Sequence, residues 1–250
     1  AEVIEFGAGS GALAAQLLHA LGERVGRYTI VELSGALRAR QAERLAPFGD
    51  RVRWLDRLPD RIEGVVLGNE VLDAMPVTLL HWDGERWLER GVVADAAGRF
   101  AWHDRPTALY LPGPPAAASD WPAGTVTEIH PQAEAFVRTL AERLVRGAAF
   151  FIDYGFPEAE YYHPQRAMGT LVAHRAHRRD DDVLGAPGEK DLTAHVNFTG
   201  IALAAQGAGL DVIGYTGQGR FLLNAGLIDL ARDAGVRENA NLLKLVNEHE

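Results

Sequence analysis

Gly7, Gly9 and Gly11 alternate with Ala8 and Ser10 directly behind a short apolar run, and Glu32 follows 21 residues after the last of them. Glycines so placed let a backbone turn tightly and approach a ligand, and a helix starting behind them offers its free N–H groups. A carboxylate at the end of the next strand can accept hydrogen bonds from both hydroxyls of a ribose. Two cofactors use this pairing of loop and acid, S-adenosylmethionine (SAM) and NAD(P). The dinucleotide fingerprint spaces its glycines G-x-G-x-x-G, whereas here the third glycine comes one residue early. The spacing favours SAM, with Gly7, Ala8, Gly9, Ser10, Gly11, Glu32, Leu33 and Asn69 as the expected cofactor-binding residues. A tight turn in an unrelated α/β fold and an NAD(P) site are the alternatives.

Further acids stand where ligands meet an open α/β sheet, just past the ends of strand-like runs. Glu70 and Asp73 follow the apolar run 64–69, and Asp153 ends the run 148–152. Glu70 and Asp73 are three residues apart, so on a helical turn they would share a face. They can act as a paired carboxylate clamp. Alternatively, Asn69 and Glu70 shape the cofactor pocket while Asp73 caps the next helix. Asp153 is read as a site residue, because an unpaired buried charge is costly, with an internal salt bridge as the other reading. Tyr154 can pack or donate its hydroxyl. His195 could take a proton near neutral pH, or be a satisfied structural histidine. No metal is expected, since the histidines show no H-x-x-x-H or H-x-H spacing and cysteine is absent.

The chain resembles a particular family at several blocks. The loop Glu5-Phe6-Gly7-Ala8-Gly9-Ser10-Gly11 looks like the methyltransferase motif E-x-G-x-G-x-G. Gly68-Asn69-Glu70-Val71-Leu72-Asp73-Ala74-Met75-Pro76-Val77 resembles the G-N-E-[FVL]-[FL]-D-A-[LM]-P-V signature of MidA-like class I methyltransferases. Lys190-Asp191-Leu192-Thr193-Ala194-His195-Val196-Asn197-Phe198 is similar to that family's D-[LI]-T-A-[HD]-V-[DN]-F, and Asp153-Tyr154-Gly155 to its D-Y-G. These are bacterial proteins related to a mitochondrial protein-arginine methyltransferase that assists respiratory complex I assembly. The resemblance implies a Rossmann-like sheet, SAM as methyl donor and a protein substrate, with an arginine on a respiratory-complex subunit as the expected acceptor. An arginine acceptor is always charged, so carboxylates must orient it and receive a proton. Glu70, Asp73, Asp153 and His195 are the expected catalytic residues. The competing readings are a methyltransferase fold serving as an assembly factor with minor catalysis, and an NAD(P)-dependent oxidoreductase.

These residues need a scaffold, and the first 75 positions supply strand and helix signals at the spacing of βαβ units. Strands are expected at 2–6, 28–33, 51–55 and 64–69, and helices at 12–21 and 35–45, the latter capped by Ser34. Segments 81–87, 91–96 and 99–103, with Asp-Gly and Ala-Gly turns, read as a small antiparallel meander within a β-rich insertion over 78–125. Residues 111–124 read as a loop. A helix over 132–145 carries Phe136, Leu140 and Leu144 at i, i+4 spacing and is closed by Gly147, before a buried strand at 148–154. Residues 155–192 lack periodicity and read as a long substrate-side loop. A helix near 200–208, a strand at 210–215 and helical segments after Arg220 complete a mostly parallel twisted α/β sheet with helices on both faces, taken as one domain.

Bulk properties narrow the partners. Hydrophobic residues make up 47% and charged residues 24% of the 250, ordinary for a globular protein. A net charge of −9 argues against a general nucleic-acid binder. No run is long and apolar enough to span a membrane, and no secretory leader opens the chain. With cysteine absent, a cytoplasmic enzyme is the expectation, and a homodimer is left open. The cluster His174-Arg175-Ala176-His177-Arg178-Arg179, followed by Asp180-Asp181-Asp182, reads as a solvated loop of self-compensating charge or a docking surface for an acidic partner. The five tryptophans are scattered, which suits packing better than base stacking. The chain opens directly in a strand without methionine and ends in a polar stretch, so segments are expected to be missing from one or both ends.

Overall fold

A computed structural model describes residues 1–111, 121–175, 178–232, 235, 242 and 245–246. They divide into two compact units, Ala1–Leu210 and Asp211–Glu250.

The first unit begins with the expected βαβ succession. Strand β1 (Glu2–Phe6) leads to helix α1 (Ala12–Leu21), β2 (Arg27–Val31), α2 (Gly35–Leu45), β3 (Val52–Leu55) and β4 (Ile62–Asn69). Ser34 caps α2 as its type predicts, its Oγ accepting from the Leu37 amide at 3.3 Å. Next come β5 (Thr78–Trp82), β6 (Trp87–Ala94), β7 (Phe100–Pro106), β8 (Val126–Ile129), α3 (Pro131–Arg143) and β9 (Leu144–Ile152). The central sheet runs β3-β2-β1-β4-β9 and every pairing is parallel. Successive strands step outward from β1 to β3, and β4 then pairs on the other side of β1. The chain therefore parts in opposite directions at the β1/β4 border, and a crevice forms where the loops diverge.

Alternate residues of β1 face different helices, as a strand's period of two requires. Val3 packs with Ala14 and Leu18 of α1, Leu45 of α2 and Tyr28 of β2. Ile4 and Phe6 pack on the other face with Val66 of β4 and Leu140 of α3. Strand β1 is thus covered on both faces, whereas Phe150 and Ile152 of β9 remain exposed.

The meander is present with different bounds. The Asp83-Gly84 turn lies between two strands rather than inside one, and β8 extends the sheet to the order β7-β6-β5-β8. The insertion consequently reaches Ile129. Trp82, Trp87 and Trp121 form a packed row, with centroids 5.4 and 5.6 Å apart. Of the expected loop at 111–124, residues 112–120 lie outside the described residues. Helix α3 ends at Arg143 and β9 starts at once, so Gly147 lies inside the strand, at φ 144°, instead of closing the helix.

The stretch 155–192 is more ordered than a loop. It holds β10 (Gly155–Phe156), α4 (Glu158–Tyr161), β11 (Val172–Arg175), β12 (Arg178–Asp180) and β13 (Asp191–Thr193), followed by β14 (Val196–Asn197) and α5 (Phe198–Gly207). Strands of two to four residues are too short to show an alternation, which hid them. Strands β12-β11-β13 form an antiparallel sheet, and β10 pairs with β14. Within the charge cluster Arg179 pairs with Asp181, while Arg175 and Asp180 pair with Glu189 and Lys190 outside it. Ala176 and His177 of that cluster lie outside the described residues.

Residues 210–217 form no strand, and Ile213 is 86% exposed. An extended segment becomes a strand only where a neighbour supplies a ladder, and this one pairs with no described strand. The second unit contains α6 (Gln218–Asn224) and α7 (Leu227–Leu230).

Leu140 is 1% exposed at the centre of the α3 face. Leu140→Ala should lower unfolding free energy by about 3 kcal/mol, the usual cost of such a cavity, measured by chemical denaturation. A loss within 1 kcal/mol of zero would show that α3 does not close this core.

Candidate active site

A cleft of about 460 Å³ opens at the β1/β4 border, lined by Glu5, Gly7, Ala8, Gly9, Leu13, Asn69 and Glu70. Gly7, Gly9 and Gly11 all have positive φ, at 61°, 52° and 73°, a region that bulkier residues rarely adopt. A Cβ on Gly7 would also meet Val71 Cγ2 at 3.3 Å, so a side chain there would crowd the turn after β4. Gly11 occupies the cap position of α1, whose cap makes no side-chain hydrogen bond. The first N–H groups of α1 point where an anionic or carbonyl group can sit.

Glu32 ends the neighbouring strand and is 8% exposed. Its Oε1 accepts from the Ser34 amide at 2.9 Å and its Oε2 from Gln41 Nε2 at 3.1 Å. A carboxylate has about four acceptor sites, so the two that remain match the paired hydroxyls of a ribose. Leu33, 80% exposed, adds an apolar surface next to it. Ser10 stands apart from the cleft lining and accepts from Arg44 Nη1 at 2.9 Å.

Glu5 was not among the predicted site residues, yet it lines the cleft with a buried carboxylate. Tyr28 donates to its Oε2 at 2.7 Å. Burial raises its pKa, while the tyrosine bond opposes that rise. An ammonium group of a ligand would find in Glu5 a desolvated partner. The signal was available: an acid interrupts an apolar strand two positions before the first glycine. A glycine turn and the Glu5 carboxylate on the cleft lining, with the Glu32 carboxylate behind the lining residues, suit a SAM-type amino-acid nucleoside.

The predicted catalytic acids fall into two groups. Glu70 alone reaches the cleft lining, and it does so from φ 52°, one of two described non-glycine residues with positive φ. Such a conformation costs on the order of 1–3 kcal/mol and persists only where its surroundings enforce it. Here the enforcement is visible. Asp153 Oδ2 accepts from the Val71 amide at 3.1 Å and the Leu72 amide at 2.8 Å, and the Glu70 amide donates to the Ile152 carbonyl at 2.8 Å. Residues 71–75 form turns and bends rather than a helix, so Asp73 caps no helix and shares no helical face with Glu70.

Asp73 instead contacts Asp153 carboxyl to carboxyl. Asp73 Oδ1 and Asp153 Oδ1 are buried and otherwise meet no donor, so the contact is satisfied when one of the two carries a proton. Burial, followed by the charge of Asp153, pushes Asp73 up to about 7. Burial also raises Asp153, against the two amides that lower it. Tyr154, next along the chain, donates to Glu70 Oε1 at 3.4 Å.

His195 is not among the cleft-lining residues. Its carbonyl accepts from His130 Nε2 at 2.8 Å, its amide donates to Thr170 Oγ1 at 3.0 Å, and its ring packs on Phe156. Burial and then the Arg166 charge depress its proton affinity. Its main-chain bonds join the segments at 130, 170 and 195, while its ring Nδ1 is buried without a hydrogen-bond partner.

The Asp73–Asp153 contact makes stability depend on pH. A carboxyl that keeps its proton to about pH 7 when folded and loses it near 4 when unfolded destabilises the fold as pH rises between those values. Asp73→Asn removes this titration and can still donate to Asp153. The melting temperature of the variant minus that of the unaltered protein should therefore grow by a few degrees from pH 5 to pH 8. A difference that does not change with pH would refute the shared proton.

Comparison with known proteins agrees with this geometry. A family described as "Putative S-adenosyl-L-methionine-dependent methyltransferase" matches residues 1–216. A "likely methyl transferase" from Burkholderia thailandensis, solved bound to S-adenosyl-homocysteine (SAH), is 50% identical with a TM-score of 0.90, and the match covers 100% of this chain and 68% of that one. A native structure of a Burkholderia thailandensis protein, 49% identical, also has a TM-score of 0.90, covering 100% and 70%. Among curated proteins, the protein arginine methyltransferase NDUFAF7 of Danio rerio is 28% identical, covering 90% of this chain and 58% of its own length. That of Mus musculus is 31% identical, covering 72% and 40%. The chain thus spans roughly half the length of these curated relatives. With the glycine loop, the signature turn at Glu70 and the parallel sheet all in place, the chain belongs to the MidA-like family of SAM-dependent methyltransferases.

Proposed function

We propose that this methyltransferase acts on a protein, at the guanidinium of an arginine. The observation that carries the reading is Glu70, a carboxylate held in a strained backbone conformation at the edge of the cofactor cleft, with a tyrosine hydroxyl as its one side-chain partner. Two curated relatives bearing the name protein arginine methyltransferase support it. The acidic neighbourhood of Glu70, Asp73 and Asp153 suits a cationic acceptor.

When bound, SAM would supply an electrophilic methyl group and leave as SAH. Glu5 and Glu32 would hold its amino-acid and ribose ends, and the glycine loop would bring the main chain close to it. Glu70 accepts hydrogen bonds from the guanidinium, so that one nitrogen is aimed at the methyl and its lone pair is freed as a proton passes to the carboxylate. Tyr154 Oη steadies Glu70 Oε1. Asp153 takes no part in the transfer; it fixes the turn that carries Glu70. A respiratory-complex subunit is the first acceptor to assay, and a cytoplasmic setting is part of this proposal.

The test uses radiolabelled SAM and a protein lysate, with acid hydrolysis of the product. Label should appear in methylarginine, and Glu70→Gln should reduce transfer at least about a hundredfold, the range for loss of a positioned acid–base group. SAH affinity in that variant should stay within about threefold, well under 1 kcal/mol of binding energy. Label in methyl-lysine or in a base-labile ester would overturn the arginine assignment. Undiminished transfer in the variant would remove Glu70 from the chemistry.

A further inference from the structure

Gln41 is fully buried on α2, at a position where helical periodicity calls for an apolar residue: Leu37 precedes it by four and Leu45 follows it by four. A buried amide on such a stripe is expensive unless every polar atom is matched. Here all of them are. Trp54 Nε1 donates to Gln41 Oε1 at 3.0 Å, and Gln41 Nε2 donates to the Gly9 carbonyl at 2.9 Å and to Glu32 Oε2 at 3.1 Å. An indole N–H can only donate, while a carbonyl and a carboxylate can only accept. The three partners therefore leave one orientation for the amide, with its oxygen towards Trp54 and both its hydrogens spent on the cofactor side.

That orientation joins two parts of the site that are far apart in the chain, the glycine turn and the acid ending β2. Gly11 lies beside the joint, where its φ of 73° favours glycine. The two amide hydrogens fix where Glu32 Oε2 lies relative to the Gly9 carbonyl. With Oε1 held by the Ser34 amide, the carboxylate cannot rotate, and its two free acceptor sites keep one direction.

We infer that Gln41 is a positioning residue for cofactor recognition, setting the Glu32 carboxylate so that it receives both ribose hydroxyls while locking the glycine loop to the same frame. The inference rests on the ribose role of Glu32. It adds that the acid alone is insufficient: an unclamped Glu32 would bind ribose with one oxygen or in several rotamers, and discrimination for the hydroxyls would be lost with the clamp.

The experiment is calorimetric titration of the purified protein with two probes, SAH and its 2′,3′-dideoxy analogue, across Gln41→Leu, Gln41→Glu, Glu32→Ala and the Glu32→Ala/Gln41→Leu double variant. Glu32→Ala should weaken SAH by about 10- to 100-fold, the worth of hydrogen bonds to a charged group, and leave the dideoxy probe nearly unchanged. Gln41→Leu releases both Glu32 and the Gly9 carbonyl, so it should weaken SAH about tenfold and the dideoxy probe threefold or less, while the double variant should lose clearly less SAH affinity than the product of the two single losses. Gln41→Glu keeps the shape and the acceptor for Trp54 but puts a carboxylate against two acceptors. At pH 8 it should lose as much SAH affinity as Gln41→Leu. Equal weakening of both probes by Gln41→Leu, or additive losses in the double variant, would overturn the inference and leave Gln41 a packing residue. If Glu32→Ala itself spares SAH binding, the ribose assignment falls first, and the inference with it.

Discussion

Two hydrogen bonds to a single carboxylate oxygen hold the turn after β4 in place. Asp153, at the end of β9, takes the amides of Val71 and Leu72 on one oxygen, and so fixes the turn that leaves β4. Without that bracket a glutamate would have little reason to keep φ at 52°, because the left-handed region is unfavourable for a residue with a Cβ. The bracket works because β4 and β9 are paired in parallel along their length, down to Asn69 and Ile152. The sheet thus delivers two strand ends side by side, and one acid holds the turn that presents the other. Asp73 lies against Asp153, and burial raises the proton affinity of both carboxyls, so that a proton held between them would remove one buried charge from this acidic corner.

The cofactor end follows the same logic with different chemistry. A loop rich in glycine approaches a ligand closely but has little stiffness of its own. It is stiffened from behind by Gln41, which bonds the Gly9 carbonyl, and by Arg44, which bonds Ser10. Both come from α2, so that helix braces the loop as well as covering the sheet. Glu32 is fixed by Ser34, itself the cap of α2. The helix start, Glu32 and the glycine turn are thereby one hydrogen-bonded unit.

How far this was legible in the sequence varies with the length scale of the signal. The βαβ alternation and the glycine loop are local patterns, and they appear where the spacing placed them. Glu70 was singled out from its strand-end position and the family signature, but its strained backbone was invisible, because the cause lies 82 or so residues away in Asp153. For the same reason Asp153 was read as a site acid rather than a bracket. His195 looked available as an isolated histidine; its backbone bonds to His130 and Thr170 depend on tertiary pairing that no periodicity reports. Strands β10 to β14 escaped because each is too short for alternation, and the segment 210–215 was overcalled because apolar residues alone do not make a ladder. Gln41 left a trace, as a polar residue interrupting the apolar stripe of α2, which is the kind of local inconsistency that marks a functional position.

The most direct test of this account is a crystal structure of the protein with SAH bound. The account requires the thioether sulfur to face the Glu70 carboxylate, with Glu70 still at positive φ and both the Val71 and Leu72 amides still on Asp153 Oδ2. A complex in which the turn relaxes to an ordinary conformation, or in which the sulfur lies away from Glu70, would contradict it.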